Sequence, residues 1–490
     1  MRVLAWSAGC LLLVACGGGG SSNNSGTAGA TNSSGGSGAA GSSSGRSGAA
    51  GSSGSSSGAA GSSNGGSGTS GGGAGTAGAS GSGGTAGAAG IAGAGGTGNV
   101  TSADLCAGLV EDKLPHTGTT LPKPAVGMTV TDAEFGTTIR RITAAPAPSA
   151  GNDSAIVPMY STISAWNADE SLMILYQVGS DGGHKLYDGK TYAALGALDV
   201  SPPDLEQVYW DTSDPDLLYY VDGQDFIRYH VQEKVKDTLT SFASLCAGDA
   251  PTNGDDPMFT SWDSHRLGLT CNGQMFIYDL ASNQVLGPKP VAGTPPAQVA
   301  PSGKLAYLEA GTGQVFDENL NLVRSLNLQV PDNHASLGQL ANGHDTWNGA
   351  VYDDDNNDVG SLVTWDLTDG SGGVVIGPKT GYPYPPDGHI SALAYREPGW
   401  VVVSTISDNT TGPQVLLDQE LLIADTNSKT VCRVGRHRSF GKNNTNMQEP
   451  YWAEPHAVPS PSGTRILFAS DWGNGATVDS YVLELPSYVK

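Results

Sequence analysis

The sequence predicts an all-β fold, a seven-bladed β-propeller standing behind a disordered Gly/Ser/Ala-rich N-terminal tether. Three observations carry that expectation. First, one hairpin layout recurs: Ala165-Trp166-Asn167-Ala168-Asp169-Glu170-Ser171-Leu172-Met173-Ile174-Leu175, then Ala300-Pro301-Ser302-Gly303-Lys304-Leu305-Ala306-Tyr307-Leu308, then Ser460-Pro461-Ser462-Gly463-Thr464-Arg465-Ile466-Leu467-Phe468. Each is a turn feeding a β-favouring strand, and related units follow at intervals of roughly 35 to 55 residues. Second, runs rich in Tyr, Trp, Val, Ile and Leu alternate with Gly, Pro, Asp and Asn clusters, with no helical periodicity between them. Third, residues 100–490 are too many for one compact core, whereas blades each bury their own faces.

Taken in order, unit one spans about 160–196, with Leu186-Tyr187-Asp188-Gly189-Lys190-Thr191-Tyr192 as its outer hairpin. Unit two spans about 207–239, unit three about 258–291 and unit four about 298–328. Unit five, about 335–377, carries Leu362-Val363-Thr364-Trp365-Asp366-Leu367; unit six spans about 388–435 and unit seven about 451–486. The segment from Leu105 to Pro158 is expected to lend the last blade an outer strand, closing the ring and removing an exposed edge.

The N-terminus has a different character. Residues 1–15 combine Arg2 with an apolar run from Val3 to Ala15, too short to cross a bilayer, and read as a secretion signal. Leu13-Val14-Ala15-Cys16 resembles the lipobox of bacterial lipoproteins, which implies lipidation at Cys16 after cleavage; Gly17 in the next position favours the outer membrane. Residues 16–99 form a low-complexity tether in which Ser-Gly-Ala-Ala-Gly-Ser-Ser starts at Ser37, Ser47 and Ser57. Such a chain lacks apolar surface to offset its ordering entropy, and its reach is roughly 50 Å. The expected product is a monomeric outer-membrane lipoprotein facing the periplasm or cell surface, with the membrane as its first partner.

Charge excludes one class of partner. All 47 acidic residues and all but two of the 24 basic ones lie from Asp104 onward, a net of −25 that repels nucleic acid. Four cysteines remain after the signal and the lipidation site, an even number in an exported chain. The expected disulfides join Cys246 to Cys271, in consecutive units, and Cys106 to Cys432, tying the N-terminal segment to the end of the ring.

Candidate chemistry concentrates late in the chain. His344, His389 and His456 each stand just before a strand in the last three units, and inner strands of neighbouring blades converge on a central channel. Together with Glu454 they suggest a divalent-metal site. Lys429, Arg433, Arg436, His437, Arg438 and Lys442 form a basic stretch expected to reverse the field locally and attract an anion. Asp353-Asp354-Asp355-Asn356-Asn357-Asp358-Val359-Gly360 offers alternating oxygen ligands that suit calcium but lacks the glycine of a calcium loop, and reads as an acidic hairpin turn. The sequence has no nucleophile-elbow serine outside the glycine-rich tether, no phosphate-cradling loop and no helical two-histidine zinc motif.

Arg436-His437-Arg438-Ser439, Gln448 and Glu454-Pro455-His456 followed by Pro-Ser-Gly resemble the end of the oligogalacturonate lyase family, with Glu454 where that family has a histidine; the turns resemble those of TolB-like propellers more widely. The lyase resemblance implies a divalent cofactor, manganese, with His389 and His456 as ligands. It implies β-elimination on a uronic acid, Arg436 neutralising the sugar carboxylate and His437 or His344 acting as base. Two functions are therefore expected: a surface lipoprotein whose propeller binds carbohydrate or protein, or a metal-dependent polysaccharide lyase acting on uronic-acid oligosaccharides. On the lyase reading a divalent metal, Mn or Ca, is expected as cofactor; on the binding reading, that metal or none.

Overall fold

A computed structural model describes residues 104–489 apart from 119, 150, 180, 252–259, 292–297, 309–312, 327–334, 352–360, 387 and 407–413. The signal, Cys16, the tether and the acidic run from Asp353 to Gly360 lie outside the described residues. Among the described residues the strands form seven antiparallel sheets, one per blade of a seven-bladed propeller. No helix among them is long and apolar enough to cross a membrane.

Blades one, two, four, five and six are four-stranded, covering 155–197, 208–241, 298–325, 336–376 and 388–436. Blade three contributes Arg266–Cys271, Gln274–Asp279 and Gln284–Pro290, with Thr260 bridged to Leu267 on its inner side. Blade seven holds Val458–Pro459, Arg465–Ser470 and Asp479–Glu484. The anticipated closure is present and larger than expected. Thr137–Arg141 pairs with Asp479–Glu484, and Thr129–Asp132 pairs with Thr137–Arg141, giving a five-stranded sheet sewn from both ends of the chain. A ring closed this way leaves no open edge between its first and last blades.

The recurring turns join the first strand of a blade to the second. Gly303 and Gly463 take φ of +71° and +69° there, a conformation that costs glycine nothing. In blade one the same place is held by Glu170 at φ +60°. Its carboxylate accepts from the guanidinium of Arg465 at 2.6 Å and from the Ser462 amide at 2.7 Å, so the side chain locks blade one to blade seven. Burial opposes ionisation of Glu170, but those hydrogen bonds outweigh it and hold its carboxyl below the ordinary range. Arg465 in turn stacks over Trp166, 4.9 Å from the ring centre.

The apolar core lies between blades, as it must when each sheet buries both faces. Trp166, Tyr220, Tyr307 and Trp347 are each less than 2% exposed. Burial of one such side chain contributes roughly 1.5–3 kcal/mol. Both expected disulfides form: Cys106–Cys432, with Cα atoms 5.7 Å apart, and Cys246–Cys271, at 5.1 Å. The first pins the N-terminal segment to the outer strand of blade six, beside the bridge between Val110 and Arg433.

Candidate metal centre

The inner strand of blade six begins at Gly388–Ser391, paired so that His389 faces Ser404 on the next strand. A Cβ at position 388 would lie 2.2 Å from the Ser404 carbonyl oxygen, so only glycine permits this close pairing at the strand's start. The strand before blade seven is shaped by a short 3₁₀ turn, Pro450–Ala453, with proline at its first position and the Glu449 carboxylate accepting from the Tyr451 amide. Extended backbone then carries Glu454 and Pro455 to His456, whose φ of +40° lies in the left-handed region. A histidine held there is strained by roughly 1–3 kcal/mol, a cost most often met at functional positions.

These two strand starts bring three donors together. The Nε2 atoms of His389 and His456 lie 3.6 and 3.8 Å from the same carboxylate oxygen of Glu454. The two imidazole centroids are 4.3 Å apart, and ligand atoms of all three residues fall within 4.8 Å of one another. Both imidazoles are buried, while the Glu454 side chain is 15% exposed. Two ligands each about 2.1 Å from a common ion can stand at most about 4.2 Å apart, so both nitrogen–oxygen separations suit a shared divalent cation. Two imidazoles and one carboxylate are also a donor set that leaves coordination positions open for a ligand. The residues fit the cofactor that the sequence implies.

Aromatic rings from neighbouring elements wall the cluster. Tyr160 of blade one stands 5.5 Å from His389 and 5.2 Å from His456, and Tyr451 stands 4.7 Å from His456. The Tyr451 hydroxyl donates to Glu206 of blade two at 3.2 Å. Burial, with the Glu206, Tyr160 and Glu454 groups nearby, holds the Tyr451 phenol well above its ordinary value and therefore protonated. The reading of the sequence missed Tyr160, Tyr451 and Glu206. Tyr451 had a signal in its place four residues before Pro455; Tyr160 and Glu206 become neighbours only through closure of the ring.

The other expected site residues are elsewhere. His344 does not join His389 and His456. It lies in the turn after Ser336–Gln339, at the far end of that inner strand, whereas His389 lies at the start of its own. There its Nδ1 meets Asp366 at 2.7 Å, in a second group with Asp369. His437 lies at the end of an outer strand, fully buried, its Nε2 donating to the Thr405 carbonyl at 2.8 Å and its Nδ1 accepting from the Ser439 amide at 3.0 Å. Desolvation pushes this imidazole down to about 4, and with both nitrogens engaged it has no lone pair for a substrate proton. Arg436 is likewise occupied, donating to Gln414 at 2.9 Å and to the His116 carbonyl at 2.9 Å. Gln448 is exposed, its backbone N–H donating to Asp153.

The arginines of the basic stretch are therefore not an open anion site. Arg433 grips Glu420 through two bonds of 2.7 and 2.6 Å and reaches Asp112 and the Leu114 carbonyl, and Arg438 donates to Asp132 while stacking over Trp472. These cations bind the N-terminal segment and blade seven to blade six.

A seven-bladed β-propeller with an imidazole–carboxylate cluster at one mouth of its channel is the class of protein that fold and site define. No protein-family model matches the chain, and no curated protein matches it. Solved structures do. An oligogalacturonate lyase in complex with manganese superposes with a TM-score of 0.52 at 15% identity, covering 74% of this chain and 96% of that one. An oligogalacturonate lyase from Vibrio parahaemolyticus gives 0.51 at 11%, covering 74% and 97%. The likeness is one of fold.

Proposed function

We propose that this protein is a membrane-tethered, divalent-cation-dependent receptor for carboxylate-bearing sugars, displayed on the outer membrane through lipidated Cys16. The observation that carries the reading is the meeting of His389, Glu454 and His456, with both imidazole nitrogens within 3.8 Å of one carboxylate oxygen. When bound, the cation would supply Lewis acidity and charge for a uronate carboxylate. His389 and His456 would hold it from a dry wall, and Glu454 would balance its charge at the wetter side. Tyr160 and Tyr451 shape the mouth around a ligand and exclude water. The tether would let the ring sample its surroundings away from the lipid.

A second reading, β-elimination on a uronic-acid oligosaccharide, is favoured by the fold likeness to a lyase–manganese complex. It requires a base, and the residues first expected to serve are engaged or distant. Tyr451 is kept protonated and its partner Glu206 accepts that proton's hydrogen bond. The geometry therefore favours binding over turnover.

The test is metal analysis and thermal denaturation of the purified protein with Mn²⁺ and Ca²⁺. One ion per chain and a rise in melting temperature are expected, both lost in His389→Ala/His456→Ala. If the double variant keeps the metal and the shift, the site is not this one. Oligogalacturonate should then bind only in the presence of the ion. Release of an unsaturated uronide, seen by its ultraviolet absorbance, would replace the binding reading with the lyase reading.

A further inference from the structure

Beyond the imidazole cluster the inner strands run on toward the opposite mouth of the channel, and there they enclose a cavity of about 50 Å³. Tyr209 and Trp210 of blade two, Trp262 of blade three and Tyr395 of blade six give it an aromatic lining, with Thr162 of blade one among them. Trp262 and Tyr395 are half-buried and meet at 54° with centroids 6.2 Å apart, an open V and not a closed stack. The Thr212 hydroxyl donates to the Trp262 carbonyl at 2.5 Å and fixes that residue's backbone.

One polar group in this wall is left over. Thr162 is 5% exposed, and its hydroxyl has no hydrogen-bond partner among the described residues. Buried hydroxyls are nearly always paired, so an unmatched one in a cavity wall points to a ligand group or a bound water. The charges nearby narrow the choice. Asp169, Asp211, Asp263 and Glu170 belong to the turns around this mouth or follow the lining strands. Arg396, a cation of the same mouth, is occupied by the Ala168 carbonyl and lies 3.9 Å from Glu170. Burial, reinforced by Glu170, Asp211 and Asp169 against Arg396, keeps the Tyr395 phenol protonated, so it can donate.

We propose that this second mouth binds a neutral sugar ring, its C–H face laid on Trp262 and one exocyclic hydroxyl reaching into the cavity to Thr162. A pyranose pairs an apolar face with peripheral hydroxyls, matching a site of aromatic rings and a few convergent polar groups. The cavity itself holds about two waters or one exocyclic group, so the ring sits at the mouth. The carboxylates disfavour a uronate here, in contrast to the other mouth. This site shares no residue with the proposed metal centre, and each can fail without the other.

The experiment is saturation-transfer NMR and calorimetry on the full chain with cellobiose, maltose and lactose, and with glucuronate as the charged control. Saturable binding of at least one neutral disaccharide is expected in the millimolar range. It should weaken roughly tenfold in Trp262→Ala and less in Thr162→Val, and stay unchanged in His389→Ala/His456→Ala. Absence of binding to all three disaccharides by the wild-type chain would overturn the proposal. So would equal binding by folded Trp262→Ala, checked by circular dichroism, or a preference for glucuronate in the His389→Ala/His456→Ala chain, in which the first site is removed.

Discussion

Two corners of this molecule hold histidine beside strong charge, and they do opposite things. At the start of the inner strands of blades six and seven, buried His389 and His456 lie against a partly exposed carboxylate. At the outer edge of blade six, His437, Arg433, Arg436 and Arg438 are packed among Glu420, Asp112, Asp132 and backbone carbonyls. Inner strands of neighbouring blades face a shared axis, so their first residues can converge on a ligand. Outer strands face the next blade or the closing segment, so polar groups there must satisfy one another. The same residue types become a site in one place and mortar in the other.

The largest effect expected from that contrast is on the outer corner. Arg433→Ala removes both short charged hydrogen bonds to the buried Glu420 carboxylate, leaving it the Arg436 cation at 3.6 Å, and should cost about 3–5 kcal/mol in urea denaturation. His389→Ala/His456→Ala should cost far less stability while removing the metal response. Similar losses from both would mean that the inner cluster is structural too.

Opening the clasp comes next. Cys106→Ser/Cys432→Ser removes a link across 326 residues and should lower stability by about 2–5 kcal/mol, with blade seven and its borrowed strands losing amide-exchange protection first. Uniform loss of protection around the ring would show that the clasp does not act locally.

Acid separates the corners further. His437 titrates near 6.5 when unfolded and at about 4 in the fold, so between those values the unfolded chain binds the extra proton. Stability should therefore fall as pH drops from about 6.5 toward 4, by about 3 kcal/mol in all. His437→Gln should flatten that slope; an unchanged profile would assign it to other groups. Glu170 acts lower down. Its carboxyl is held below the ordinary range, so its contribution is present above about pH 4.5 and is lost as pH falls through the folded value. Glu170→Gln is the smallest change in the series, expected to remove part of the loss seen at the acid end.

Much of the architecture was written in local chemistry. The Pro-Ser-Gly turns at 301–303 and 461–463, the strands after them and the even cysteine count are short-range features, and the blades, the borrowed closure and both disulfides followed from them. The pairing of His389 with His456 was legible for the same reason, since both stand at the start of an inner strand and that position has a fixed place in a blade. The status of His344 and His437 was not. Nothing near His344 in sequence tells which end of its strand it occupies, because that depends on register with Ser336–Gln339. Nothing near His437 tells that Thr405 and Ser439 will engage both its nitrogens. Tyr160 and Glu206 reach the cluster only because a closed ring sets its first two blades beside its last. By itself the sequence determined the repeating unit, since turn and strand preferences act within a few residues. Which charges face the channel and which are sealed between blades was decided only in three dimensions, because burial and convergence depend on neighbours hundreds of residues away.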